Sequence, residues 1–411
     1  MKKPHTTLYI IICMALFLVS ACGTSGDTAL PSATPSVETK HVEKHEIISQ
    51  YIESQQERNR LFTSQHRVTA ISAGYDFTLA IKEDNSLWGW GNNASGELGI
   101  GPNKFALTPT RIIGNVVFVA AGYGHAMAIT TDGSLWGWGW NGSGQVGDGT
   151  TEPIFFPMRI MDDIAHVAAG RDFTLALTND GALWGFGFNT NGELGINGYE
   201  KYLQPVFIMD NITYVSAGGH HGLAITADNA LWGWGWNDSG QLGDGTTETR
   251  YSPVFIMDNI AKVSAGFDYT LAITTCGELW GFGNNNFGEL GSIAVDIHTS
   301  PVHLKSGVTS VSAGFSHTMI ITSDGELLAT GQNESGQLGN PEHWPRRRFV
   351  HVTDNITAVS AGHGHTVAIT NDGALLAWGL NSEGQLGDGS TQDNNTPEVI
   401  IRPMEQTPQV V

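Results

Sequence analysis

The sequence predicts an all-β fold, a seven-bladed β-propeller of four-stranded antiparallel blades, and three observations predict it. An Ala-Gly pair returns at a fixed step of 48 residues, from Ala73-Gly74 and Ala121-Gly122 through to Ala361-Gly362. Seven copies with no net insertion or deletion between anchors are the signature of a repeat architecture. Each unit then carries strand-like runs such as FTLAI or HAMAIT, ending in Asp-Gly at Asp132-Gly133, Asp180-Gly181, Asp324-Gly325 and Asp372-Gly373. Asp-Gly between apolar runs is a strong short hairpin signal, here read as a two-residue turn. Finally, each unit has a run of the LWGWG type, and eleven of the twelve Trp residues lie in or just after it. Glycine at alternate strand positions marks close backbone approach, and the indoles supply core bulk.

The elements follow in chain order. Residues 1–21 have the parts of a secretory signal: Lys2 and Lys3, an apolar core from Leu8 to Val19, then Val19-Ser20-Ala21-Cys22. This order resembles the lipobox of bacterial lipoproteins, which implies cleavage before Cys22 and acyl chains such as palmitate on it. More than one chain makes anchoring stable. Residues 22–40 are rich in Ser, Thr, Pro and Gly and read as a flexible linker. Residues 41–65 have loosely helical apolar spacing, predicting a short helix; His41 and His45 within it lack the H-E-x-x-H pattern of a zinc site.

Residues 66–402 hold the seven repeats, followed by a tail at 403–411. The first run of each unit places Val68, Val116, Ile164, Ile212, Ile260, Val308 and Ile356 in register. After the LWGWG run comes G-x-N-x-x-G-x-L-G, a long loop, and Pro-x-x-Ile; Phe349 stands where the sixth proline is lost. Only Met209-Asp210-Asn211 separates Pro205-Val206-Phe207-Ile208 from Ile212, which is hairpin distance. The expectation is that Pro-x-x-Ile pairs with the run that follows it and that the long loop crosses to a new sheet. The first meander then lacks a strand and the last has a spare, so the C-terminal strand Pro397 to Ile401 should pair into blade one and close the ring.

The composition bounds the partners. The 411 residues carry 20 Lys+Arg against 40 Asp+Glu, a net charge of −20. That balance argues against nucleic acid, whose affinity for proteins comes mainly from Lys and Arg. Of the three cysteines, Cys13 and Cys22 belong to the leader, so Cys276 stands alone and there is no disulfide framework.

The motifs AGxxHTxAIT and LWGWGxNxxGQLGDG, the latter fullest at Ser239-Gly240-Gln241-Leu242-Gly243-Asp244-Gly245, resemble the regulator-of-chromosome-condensation repeat family. The likeness covers residues 66–402. It implies a seven-bladed propeller used as a binding platform, in roles as different as nuclear exchange factor, ultraviolet-B receptor and secreted inhibitor of β-lactamases. The exported leader speaks against the exchange role. The receptor's Trp cluster after the Ala-Gly turn is replaced here by Tyr75, Tyr123, Arg171, Gly219, Phe267, Phe315 and His363.

Positions that are equal in all copies serve the shared fold, and those that differ are free for function. The two residues after each Ala-Gly differ most, and strand alternation puts them on the same face as the long loops. The predicted partner-binding set is therefore Tyr75, Tyr123, Arg171, His220, Phe267, Phe315 and His363. To it are added Trp344, Arg346, Arg347 and Arg348 of the proline-less loop, expected to be flanked by Phe315 and His363. The periodic His125, His221, His317 and His365 alternate with Phe77, Phe173 and Tyr269, so they read as packing positions. No catalytic residue, metal site or cofactor is predicted. The first reading is a membrane-anchored extracytoplasmic platform for an envelope protein or glycan, on the cell membrane through its lipid. The second is an inhibitor of a secreted or periplasmic enzyme, and the third an enzyme with a site in the central channel.

Overall fold

The computed structural model describes residues 67–293 and 297–403. The leader with Cys22, the linker, the predicted 41–65 helix and the tail from 404 onward lie outside the described residues. Twenty-eight strands form seven four-stranded antiparallel sheets, with no helix among the described residues. Blade one consists of β1 (Val68–Ala73), β2 (Phe77–Lys82), β3 (Leu87–Asn92) and β4 (Phe105–Arg111), in that order across the sheet. The same meander repeats to β28 (Asn394–Ile401).

The pairing of the outer strand corrects the sequence expectation. β4 pairs back onto β3, with Trp88 opposite Arg111 and Gly91 opposite Ala106. The long loop therefore stays inside a blade, and the short link crosses to the next one. The loop is tied to itself by its in-register asparagine: Asn93 Oδ1 accepts from Leu98 N at 2.8 Å, while Nδ2 donates to the carbonyls of Gly101 and Asn103. All seven blades make the first of these bonds. The crossing link turns on a left-handed residue, in register at Asn115, Asp163, Asn211, Asn259, Gly307 and Asn355 (φ 62–72°). These are the residue types that tolerate positive φ.

The closure expectation falls with it. β28 pairs with β27 (Leu375–Gly379) in blade seven, Ile401 opposite Leu375, and not with blade one. Blade one is complete without it. The ring is closed by packing instead: Val68, Trp88 and Trp90 share a core cluster with Val367, Leu375 and Ile401.

The hairpins also differ from a two-residue turn. Thr130 N donates to Ser134 O and Gly133 N to Thr130 O, so Thr131, Asp132 and Gly133 form a three-residue loop with Gly133 left-handed (φ 79°). Such a loop is the next commonest hairpin, a type I turn followed by a left-handed residue. Asn85 (φ 58°) and Asn229 (φ 64°) stand at the glycine's place.

Each seam packs the second strand of one blade against the first strand of the next, as in the cluster of Phe77, Leu79 and Ile81 with Val116, Val119 and Trp138. The second aromatic of the LWGWG-type run is fully buried, and where it is Trp, as in Trp138, it donates its indole N–H to a carbonyl of the preceding blade, Glu97 O at 2.8 Å. Its ring lies against Gly99, where a Cβ would come within 3.1 Å of it. Blade six has Thr330 in place of this aromatic. There Phe349 covers the equivalent glycine, Gly291, at 2.6 Å from the place of a Cβ. The lost proline and the lost aromatic are thus one compensated change.

The periodic histidines complete the seams. His125 Nε2 lies 2.9 Å from Thr174 Oγ1 of the next blade, and Thr174 donates its only proton to Gln145 O at 2.7 Å. The histidine must therefore be the donor, in the neutral Nε2–H tautomer. His221 with Thr270, His317 with Thr366 and His365 with Thr78 repeat the arrangement. Burial holds His125, His221 and His317 down to about 3 and His365 to about 4. Where the seam residue is Phe77 or Phe173, the residue 49 positions on is Ala126 or Gly222 and no hydroxyl is stranded. The packing role read from the sequence is what these side chains have.

Candidate binding face at the ring axis

The turn from β1 to β2 and the long loop from β3 to β4 open on the same face, because strand direction alternates through the meander. The expected face is thus correct although the pairing behind it was not. Six of the seven residues that follow Ala-Gly bring side chains to the axis, around a cavity of about 130 Å³ walled by the Ala-Gly pairs themselves. Tyr75 stacks on His363 (3.8 Å, 17°) and lies 3.9 Å from the Tyr123 ring. Phe267 stacks on Phe315 (4.1 Å, 29°), whose edge meets His363 at 4.8 Å. The Arg171 guanidinium lies over the Tyr123 ring, 5.5 Å from its centroid. The predicted aromatics therefore pack on one another and close the axis. Tyr123 is the one among them that is more than a third exposed, at 39%.

In three blades the residue one further on is bonded to the preceding blade. Asp172 Oδ1 accepts from Gln145 Nε2 at 3.2 Å, and Asp76 Oδ1 from Gln385 Nε2 at 3.4 Å. Asp268 stands in the same 27-residue relation to Gln241. Where that position of the preceding blade is Glu193, the partner is His220, with Nδ1 3.2 Å from Glu193 Oε1. Arg171 Nη1 donates to His220 Nε2 at 3.0 Å, so the histidine's proton is on Nδ1. Arg171 Nε also lies 3.5 Å from Asp172 Oδ2. Burial pushes the carboxyls of Asp172, Asp268, Glu97 and Glu289 above the usual range. Burial is also the main reason that the Tyr75 hydroxyl is raised.

On the side of blades one to three the face is open. A cleft of about 650 Å³ runs from Tyr75 and Asp76 past Tyr123 and Trp140 to Asp172 and Lys201. Trp140 and Lys201 were missed by the sequence reading. The signal that could have found Trp140 is its register: the same place holds Asn92, Phe188, Trp236, Asn284, Gln332 and Leu380, and it differs in nearly every copy.

The Trp344 loop lies elsewhere. Its arginines are on β24 (Arg346–Thr353), the outermost strand of blade six, whereas Phe315 and His363 line the axis. The expected flanking is therefore not observed, because the long loop returns the chain to the rim of its own blade. Trp344 is 75% exposed. Arg346 is paired with Glu342, Arg347 donates to Asn286 O at 2.7 Å, and Arg348 is exposed, so the triplet is divided among three surroundings. Cys276 is exposed beside Thr274, with Oγ1 3.3 Å from its sulfur. Among the described residues no three His, Cys, Asp or Glu side chains gather as a metal site.

Comparison with known proteins places this geometry. The model of the RCC1-like domain family matches residues 20–270 and 164–411. No curated protein sequence matches the chain. Human WBSCR16 superposes with a TM-score of 0.71 at 22% identity, covering 77% of this chain and 93% of its own. Prp20p from Saccharomyces cerevisiae gives 0.70 at 20% identity, covering 84% and 89%. At these identities the likeness is one of fold.

Proposed function

The chain belongs to the RCC1-like domain family, and on that premise we propose that it is a membrane-anchored extracytoplasmic platform that holds an envelope protein or glycan on its loop face. An RCC1-like propeller generally serves as a protein-binding platform; Prp20p, whose fold it shares, binds Gsp1p and histones. The observation that carries the reading is the contrast between copies: seven units of one pattern differ at the residues that meet on one face, around Tyr123, Arg171 and His220. Rigid strands hold those residues, and binding side chains on loops over a rigid scaffold are a common functional arrangement. The anchor rests on Val19-Ser20-Ala21-Cys22 after an apolar core.

Two measurements test it. Full-length protein in detergent is used to capture partners from solubilised envelope, beside a Tyr123→Ala/Arg171→Ala variant and a variant altered on the hairpin face at Asp132 and Asp180. A component kept by the hairpin variant and lost by the loop-face variant supports the platform; equal retention by all three rejects it. Separately, cells are fed a tagged fatty acid. Cys22→Ala protein that still takes up label and sediments with membranes rules out the anchor.

A further inference from the structure

Resting on that reading of the loop face, we propose that the cleft over blades one to three is a subsite for one ring of a neutral glycan, with Trp140 as its stacking platform. The cleft, about 650 Å³, lies in the range of small-ligand pockets, ~300–1,000 Å³. Its character comes from a local departure from the repeat. Of the seven in-register residues after the LWGWG-type run, Trp140 alone is exposed, at 43%. Two glycines allow this. Gly124 stands where five other blades place Asp76, Asp172, His220, Asp268 or Ser316 and blade seven has Gly364, and a Cβ there would come within 3.1 Å of Trp140 Cβ. Gly142 lies against the indole, where a Cβ would fall 2.5 Å from Trp140 Cζ2. The indole is thus backed by glycine and open to solvent.

The other aromatics that line the cleft are already occupied. Tyr75 is stacked between Tyr123 and His363, and Tyr123 between Tyr75 and the Arg171 guanidinium. Beyond the axis, Phe267 and Phe315 stack on each other. Within the cleft, a flat apolar ligand surface therefore finds one free aromatic face, that of Trp140.

The polar lining selects the ligand's charge. Asp76, Glu97 and Asp172 line the cleft as acceptors, and Arg171 and Lys201 line it as cations. Lys201 Nζ donates one bond to Gly142 O at 3.0 Å, and an ammonium has two more protons to give. A cationic side chain entering here meets Arg171 and Lys201, and an anion meets Asp76 and Asp172. A hydroxyl meets no such conflict, since it donates to a carboxylate and accepts from an ammonium at once. A pyranose ring presents hydroxyls around its edge and C–H groups on its face, which matches a rim that carries both acceptors and donors beside one bare indole.

The test titrates full-length protein in detergent with cellohexaose, N-acetylchitohexaose and mannohexaose as neutral probes. A galacturonate hexamer and hexalysine serve as charged ones. The expected result is that at least one neutral hexamer binds and neither charged probe does. Trp140→Ala should weaken that binding tenfold or more, Trp140→Phe should restore part of it, and Asp172→Asn should weaken it several-fold. Thermal unfolding of each variant checks that the ring is intact, as expected for an exposed indole. Failure of all three neutral hexamers, or binding that Trp140→Ala leaves unchanged, overturns the glycan subsite. So does a charged probe that binds and is displaced from the cleft by no neutral one. If the envelope capture still depends on Tyr123 and Arg171 in that event, the platform stands without the glycan; if capture is also independent of them, the platform reading fails on its own result.

Discussion

Tyr123 and His125 are two residues apart in one turn, and they obey different rules. His125 belongs to the seam, and its substitutes along the chain are matched to the next blade. Histidine or tyrosine meets threonine, as in His125–Thr174 and Tyr269–Thr318, while Phe77 and Phe173 meet Ala126 and Gly222. Tyr123 belongs to the axis, where Tyr, Arg, Gly, Phe and His alternate with no partner constraint of that kind. The difference is one of desolvation. A buried hydroxyl or imidazole without its partner costs about 1–3 kcal/mol, so the seam can change only in pairs. A partly exposed residue finds water instead, so the axis is free to change for binding.

Acid should break the seam and spare the axis, and this is the largest effect expected. The four seam histidines are buried neutral, with values lowered by burial to about 3 or 4. An unfolded chain binds a proton on each near pH ~6.5, and the folded one does not. A depressed value means stability present above pH ~6.5 and lost as pH falls toward 3–4. Each histidine contributes about 1.4 kcal/mol per pH unit in that window, or about 2 kcal/mol at pH 5. The raised carboxyls of Glu97, Asp172, Asp268 and Glu289 act in the opposite direction at lower pH and offset part of it. Denaturant unfolding at pH 7.5 and pH 5 should differ by several kcal/mol. Equal stability at both would show that these imidazoles take up protons in the folded ring.

A sharper contrast lies within one run. Trp138 is fully buried on a seam and Trp140 is not. Trp138→Ala should cost ~3–5 kcal/mol, the usual range for a buried large aromatic. Trp140→Ala should stay within about 1 kcal/mol on the same unfolding curve. Similar losses for both would erase the distinction between seam and face.

The pairing rule is tested by a double-mutant cycle. His125→Phe alone removes the donor to the Thr174 hydroxyl, which keeps its bond to Gln145 O, and Thr174→Ala alone strands the imidazole proton. The double variant reproduces the Phe77–Ala126 pair, so the coupling should be about 1 kcal/mol in its favour. Additive losses would mean that the pairs in the sequence are coincidental. The smallest effects belong to the rim: Trp344→Ala and Arg348→Ala are both exposed changes and should move stability by less than ~0.5 kcal/mol.

Much of this was legible in advance. The 48-residue step, the strand runs and the Trp-rich strand are local patterns, and each became an element of the expected type. The axis residues were legible because seven copies show which places are free to differ. The cleft was not, since Trp140 is exposed only through Gly124 and Gly142, and its neighbour Lys201 comes from the next blade's loop. The 27-residue match between Gln145 and Asp172 was in the sequence too, but its meaning depends on knowing which blades touch.

The sequence by itself determined the number of blades, the four strands in each and the face on which the variable residues meet, because periodicity and strand alternation are properties of one chain read locally. The tertiary structure alone decided which strand the Pro-x-x-Ile run pairs with and how the ring closes. A two-residue link such as Asp210-Asn211 can turn a hairpin or step to a neighbouring sheet at the same length. The choice is made by the side-chain bonds of Asn93 and its six counterparts, which fold the long loop back on its own blade. It is also made by a left-handed residue in each link, which sends the chain across. With every blade already complete, burial at the seam of blades one and seven, rather than a shared strand, closes the ring.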